Sequence, residues 1–207
     1  MREDENQSNL KYFIAAIISP VIWGFMAVLI RNLKSYPPNQ ILNYRVFASL
    51  IILWLGVLLF RKVYLRQDIA YYKLHTQNKK GFWGILFLSS VLLTSNWLSY
   101  IYLVNYISVQ AGAFAYMVCP LITAIGAFFI LKEDLSRLKW FAIGISILSA
   151  AILGWGHAVE VLWSFFVAAL FAGYLIVQRS IQGFNKLNLL ELQLLLSCIF
   201  IVPLELV

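Results

Sequence analysis

The stretch ILNYRVFASLIILWLGVLLF, running from Ile41 to Phe60, decides how the chain is read. About 20 helical residues cross the hydrocarbon core of a bilayer, and this run is long and apolar enough to do so. It nevertheless carries Arg45 in its second turn. An arginine at the centre of a membrane helix costs about 2.5–3.5 kcal/mol on insertion scales. At about 1.5 Å of rise per residue, Arg45 lies roughly 6 Å inside Ile41. Two readings follow. The long stem can reach back to the headgroups, or the guanidinium can face a water-filled cavity and attract an anionic or carbonyl group. Asn43 and Tyr44 beside it add polar groups.

The rest of the chain agrees with a lipid solvent. Of 207 residues, 62% are hydrophobic and 12% charged, against roughly half and a quarter in soluble domains. That leaves too little polar surface to cover a water-facing globule. Seven apolar segments appear, at about 12–30, 41–60, 82–104, 111–131, 138–155, 161–178 and 189–207. None alternates as a barrel strand does. The expectation is an all-α polytopic membrane protein of about seven transmembrane helices. The polar, acidic start MREDENQSNLK lacks the basic opening and small-residue exit of a secretory signal, so the first run reads as a retained helix.

Basic residues give the orientation, because they are held on the cytoplasmic side. With the N-terminus inside, thirteen Lys and Arg fall in inner segments, and only Arg31 and Lys34 in outer ones. This predicts a multi-pass protein of the plasma (inner) membrane with a cytoplasmic N-terminus. The net charge of +7 therefore faces lipid headgroups, and nucleic acid is not an expected partner. The long basic and aromatic connection Arg61–Gly81 reads as a solvated or interface-lying loop, with a ligand role for His75 as the lesser reading.

Catalytic and metal motifs are missing. There is no GxSxG, HExxH, P-loop or dinucleotide glycine pattern, and the aspartates lie outside the apolar runs. Neither His75 nor His157 has a partner at metal-ligand spacing, and Cys119 and Cys198 form no framework. No enzyme, cofactor or metal is expected. The polar residues within the apolar runs are the candidates that remain. Asn96 and Tyr100 are four apart and share a helix face, while Trp97 lies about 100° round. Asn96 either bonds a neighbouring helix or lines a substrate wall. Tyr102, Asn105 and Tyr106 read as interface anchors. Tyr116 precedes Pro120, which removes one backbone bond, as a packing kink or as the break beside a site. Ser146, Ala150 and Gly154 form a small-residue stripe for close packing. Sliding the chain by 148 residues sets Trp23-Gly24 over Phe171-Ala172, Arg31 over Arg179 and Ser49 over Ser197. Helices one and six then run in opposite directions, as in an inverted repeat.

The segments NWLSYIYLVNY (96–106) and AYMVCPLITAIGAFFILKEDLSRLKWFAIGISILSAAIL (115–153) resemble the drug/metabolite transporter superfamily, and more narrowly its EamA-type RarD, or chloramphenicol-sensitive protein, branch. Pro120, Glu133, Leu135, Ser136 and Trp140 fit the pattern between helices four and five, with Lys132 in place of the usual glycine. Asn96-Trp97 and Asn105 fit helix three, NYRVFAS fits helix two with Arg45 in the arginine's place, and ISPVIWGF fits helix one with Trp23-Gly24. Two departures are Cys119, where many relatives have asparagine, and Gln110-Ala111, where an acidic residue is often found.

The resemblance implies a carrier of two inverted five-helix repeats, of which residues 1–156 form the first and residues 157–207 begin the second. It implies a permease for a small organic metabolite or drug, with Arg45, Asn96, Trp97, Tyr100, Trp23 and Tyr116 as substrate-binding residues. The alternative function is a non-transporting remnant or a membrane assembly subunit. Expected partners are the solute and the bilayer, with a homodimer left open. Since two helices of the second repeat are present, the 207-residue chain is expected to be an incomplete carrier, with Glu191 and Glu205 lacking partners that three further helices would supply.

Overall fold

A computed structural model describes residues 2–76, 78–132, 134–153 and 155–201. Glu133, Gly154, Glu205 and the side chain of His75, all singled out above, lie outside the described residues. Among the described residues there are eight α-helices and no strand. They are α1 (Arg2–Asn32), α2 (Pro38–Phe60), α3 (Lys62–His75), α4 (Lys79–Tyr102), α5 (Val109–Leu131), α6 (Arg137–Leu153), α7 (Ala158–Arg179) and α8 (Lys186–Ile201). All but α3 match the seven apolar segments. By length and composition, α2, α4 with its extension to Ile107, α5 and α7 can each cross a bilayer. Large apolar side chains such as Phe25, Ile52, Leu59, Phe129 and Leu148 are more than half exposed. In water that surface would aggregate; in a membrane it faces its solvent.

Helix α4 lies against α2, α7 and α8, and α7 against α4 and α5. Helix α6 touches α5 alone among the larger contacts. Lipid gives no hydrophobic drive for helix association, so small residues and interhelical hydrogen bonds carry it. The α5–α7 pair shows the first device. The two helices run in the same direction, with Ala111, Ala115 and Cys119 on α5 and Ala168 and Ala172 on α7 buried at four-residue spacing. Cys119, Ala168 and Ala172 pack as one cluster. A Cβ added at Gly126 would come within 2.4 Å of Ile176 Cδ1, so the end of that side chain would have to shift.

Two connections differ from the expected loops. Between α4 and α5 the chain makes a π turn, Leu103–Ile107, closed by Ser108 N–H donating to Leu103 O at 2.9 Å. Ser108 then caps α5, its Oγ accepting from Ala111 N–H at 3.2 Å, as serine does at helix starts. One extended residue therefore joins the helices. Arg31 stabilises this turn by donating from Nη1 to the carbonyls of Val104 and Asn105. Asn105, expected as an interface anchor, is instead 6% exposed, whereas Tyr102 and Tyr106 are exposed.

The second difference is α3, where a loop was expected. Its partly buried face of Leu65, Asp68, Tyr71 and Tyr72 turns toward the bundle. Asp68 accepts from Asn185 N–H at 3.1 Å and from the Asn188 amide, which ties α3 to the first turn of α8. The carboxylate also suits the positive end of that helix. Tyr71 packs edge-on against Phe184, with ring centroids 5.1 Å apart. Gly183, at φ 85°, lies under the Tyr71 ring, and any Cβ there would strike it.

Helix α5 ends at Lys132 with φ 54° and ψ 35°, its N–H donating to Ala127 O. The left-handed conformation costs an ordinary residue about 1–2 kcal/mol, and glycine avoids that cost. This fits the glycine that the family resemblance leads one to expect at the position, where Lys132 adopts the same turn. Lys132→Gly is expected to raise the apparent melting temperature in detergent, by about 0.5–1 kcal/mol of stability after glycine's unfolded-state entropy is included. A fall would mean that the lysine side chain holds the turn.

Candidate functional site

The α2 helix places Arg45 in its third turn, partly buried and facing α4. Its guanidinium carbon lies 4.0 Å from the centroid of the Trp97 ring, within cation–π range. The side chains of Tyr116 and Tyr100 lie near it. Among the described residues no carboxylate pairs with it. The stem is thus turned toward the Trp97 ring rather than extended to headgroups. A cavity of about 590 Å³ between α1 and α2 opens onto Arg45, lined by Met26, Ile30, Leu33, Gln40 and Tyr44 among others.

Trp97 and Tyr100 lie one turn apart on α4 and are 9% and 2% exposed. The Tyr100 ring packs edge-on against Tyr116 of α5, centroids 4.9 Å apart, and Trp23 of α1 meets Tyr116 from another side at 5.0 Å. Tyr116 stands one turn before Pro120. The missing proline N–H frees the Tyr116 carbonyl from its helical bond, so a backbone acceptor accompanies the phenol. Gly112 lets α5 approach here, since an added Cβ would come within 2.8 Å of Val104 Cγ2 and 3.2 Å of the Tyr100 ring. Arg45, Trp97, Tyr100, Tyr116 and Trp23 therefore form one group drawn from four helices.

Asn96 stands apart from that group. It is fully buried, and its Nδ2 donates to Val167 O on α7 at 2.9 Å, while Oδ1 has no partner. Its neighbours in this role were not singled out from the sequence. Thr94 Oγ1 donates to Ser197 Oγ at 2.7 Å. Gln193 Nε2 reaches Ser89 Oγ and Gln178 Oε1, each at 2.8 Å, and Tyr174 OH donates to Gln193 Oε1 at 3.3 Å. The signal was present as isolated polar residues in apolar helices, and most plainly as Gln193 in ELQLLLS.

The aromatic group continues past the predicted residues. Phe171 of α7 packs edge-on against Tyr116 at 5.7 Å and stacks on Tyr174 at 5.9 Å. Tyr174 borders a second cavity of about 770 Å³, together with Pro120, Thr123, Gln178, Lys139 and Lys186. A row of rings thus runs from Trp23 through Tyr116 and Phe171 to Tyr174, which borders the cavity near the opposite ends of α5 and α7. Among the described residues no group of three His, Cys, Asp or Glu is placed to hold a metal ion.

Residues 10–155 match the model of the EamA-like transporter family. Over 137 residues the chain is 31% identical to an uncharacterized transporter, YojE, of Bacillus subtilis, covering 66% of this chain and 44% of that protein. It is 26% identical over 180 residues to Protein RarD of Streptomyces exfoliatus, covering 87% and 54%. Protein RarD of Escherichia coli is 24% identical over 168 residues, covering 81% and 54%. The chain spans about half the length of the curated relatives it matches. No solved structure matches it.

Asn96→Ala is expected to lower stability by about 1 kcal/mol, the scale of a hydrogen bond between membrane helices, and to leave ligand affinity at Arg45 within about twofold of the parent. Thermal unfolding in detergent, followed by ligand titration, checks both. A lost ligand response in a normally stable variant would place Asn96 in the site itself.

Proposed function

The chain belongs to the EamA-like transporter family, and on that footing we propose that it forms the substrate-contacting part of a permease for a small organic solute bearing a carboxylate or a polarised carbonyl. The observation that carries this reading is the Arg45 guanidinium, which lies on Trp97, opens to a cavity and has no carboxylate partner among the described residues. A guanidinium offers fixed donors suited to bidentate recognition of a carboxylate. Tyr100, Tyr116 and Trp23 supply apolar rings, with the tyrosine hydroxyls and the Trp23 indole N–H at their edges, as small-molecule sites commonly do.

The row Trp23–Tyr116–Phe171–Tyr174 marks the route. It begins in the group of rings beside Arg45 and ends at the cavity lined by Gln178 and Lys139, so a solute passing along it would meet ring faces and exchange one polar partner for the next. Phe171 is the residue that the 148-residue slide sets over Trp23, and both rings meet Tyr116. That pairing supports a site at the interface of two inverted repeats, the usual position in such carriers. The excess of basic residues supports an N-terminus and α3 on the cytoplasmic side of the plasma membrane. Asn96 acts from behind, fixing the rotation of α4 that aims Trp97 and Tyr100.

A thermal-shift screen of small carboxylic acids, neutral carbonyl compounds and amines on the purified protein tests the reading. Acids or carbonyl compounds are expected to raise the melting temperature of the parent. Arg45→Ala is expected to weaken that response about tenfold or more in concentration, in line with loss of a charge-assisted hydrogen bond, while Arg45→Lys keeps part of it. An equal response from parent and Arg45→Ala would remove Arg45 from the site.

A further inference from the structure

A third cavity, of about 260 Å³, lies beneath α3. Five aromatic rings line it: Trp54 of α2, Tyr72 of α3, Phe82 and Trp83 of α4, and Phe184 of the α7–α8 connection. The rings support one another. Phe82 meets Phe184 at 5.1 Å and Tyr72 at 5.2 Å, and Trp83 Nε1 donates to Tyr72 OH at 3.0 Å. The buried polar atoms left unpaired on this wall are acceptors. Asp68 is held by Asn185 and Asn188. Glu191 is only 3% exposed, and its Oε1 has no hydrogen-bond partner, nor has Oδ1 of Asn188. Two cations of this region, Lys79 and Arg61, lie over rings, although Arg61 Nε is buried without a hydrogen-bond partner. Lys79 Nζ lies 5.9 Å over Tyr72, and the Arg61 guanidinium 4.7 Å over Tyr64.

We infer that this cavity is a binding site for a small organic cation, an amine or quaternary ammonium carrying an apolar group, distinct from the Arg45 site. A buried carboxylate without a partner is costly, and a cation supplies the missing partner. Rings of Trp, Tyr and Phe attract an alkylammonium through their faces. An anion would meet two carboxylates, and a neutral apolar molecule would leave Glu191 unpaired. The volume lies below the ~300 Å³ at which drug-sized pockets begin, so the ligand is small. Because α3 and the α7–α8 connection both wall the cavity, its occupant clamps α3 to the bundle.

The test uses the purified chain in detergent micelles and benzyltrimethylammonium as probe, with benzyl alcohol as the neutral comparison, by titration calorimetry. Saturable binding of the cation is expected, with little from the alcohol. Glu191→Gln should weaken it about tenfold, equivalent to one charge-assisted contact. Trp83→Leu should weaken it about threefold, as for one cation–π contact. If Glu191→Gln fails to accumulate, Trp83→Leu and the alcohol comparison decide the matter. Absence of saturation by about 10 mM, unchanged binding in the variants that fold, or equal binding of benzyl alcohol would overturn the inference.

Discussion

The rest of the structure depends on the hydrogen bonds that α4 makes with α7 and α8. In hydrocarbon, apolar side chains pack against lipid as readily as against one another, so burial alone cannot select one rotation of a helix. Ser89, Thr94 and Asn96 can. They bond to Gln193, to Ser197 and to the Val167 carbonyl, and a turned α4 would leave these groups unpaired in the bundle. With that face fixed, Trp97 and Tyr100 point toward Arg45 and Tyr116. The candidate site is thus a consequence of polar contacts that do not themselves touch it.

Arg45 shows how one costly residue becomes intelligible only in three dimensions. The sequence left two readings, a snorkel to the headgroups and an arginine facing a cavity. The ring of Trp97 provides what neither lipid nor headgroup would, an electron-rich face inside the bundle at 4.0 Å. The rings of Tyr100 and Tyr116 pack against each other close by. These are weak partners compared with a carboxylate, and they leave the guanidinium able to exchange them for a ligand.

The apolar segments and the all-α class were legible because bilayer thickness sets a length that composition alone satisfies. The family resemblance was legible through the residues around Asn96, Pro120 and Arg45, and the match over residues 10–155 bears it out. The helix α3 was not legible: its apolar and charged residues are mixed, and its order comes from Asp68 and from the Tyr71 ring over Gly183, contacts made more than a hundred residues away. The π turn was equally hidden, since Arg31 stabilises it from another helix. Five of the six candidate side chains converge. Asn96 does not, because an amide in lipid takes the nearest backbone carbonyl, and the sequence does not say which helix will offer one.

Cross-linking of α4 to α8 tests the central claim most directly. Thr94 and Ser197 have their hydroxyl oxygens 2.7 Å apart, so cysteines at both positions are within disulfide reach. With Cys119 and Cys198 replaced by alanine, the Thr94→Cys, Ser197→Cys protein in native membranes should form an intramolecular disulfide under mild oxidation. A pair made from the exposed Leu88 and Ser197 should not. Cross-linking by the Leu88 pair and none by the Thr94 pair would mean that α4 presents another face to α8, and the placement of Trp97 and Tyr100 beside Arg45 would fall with it.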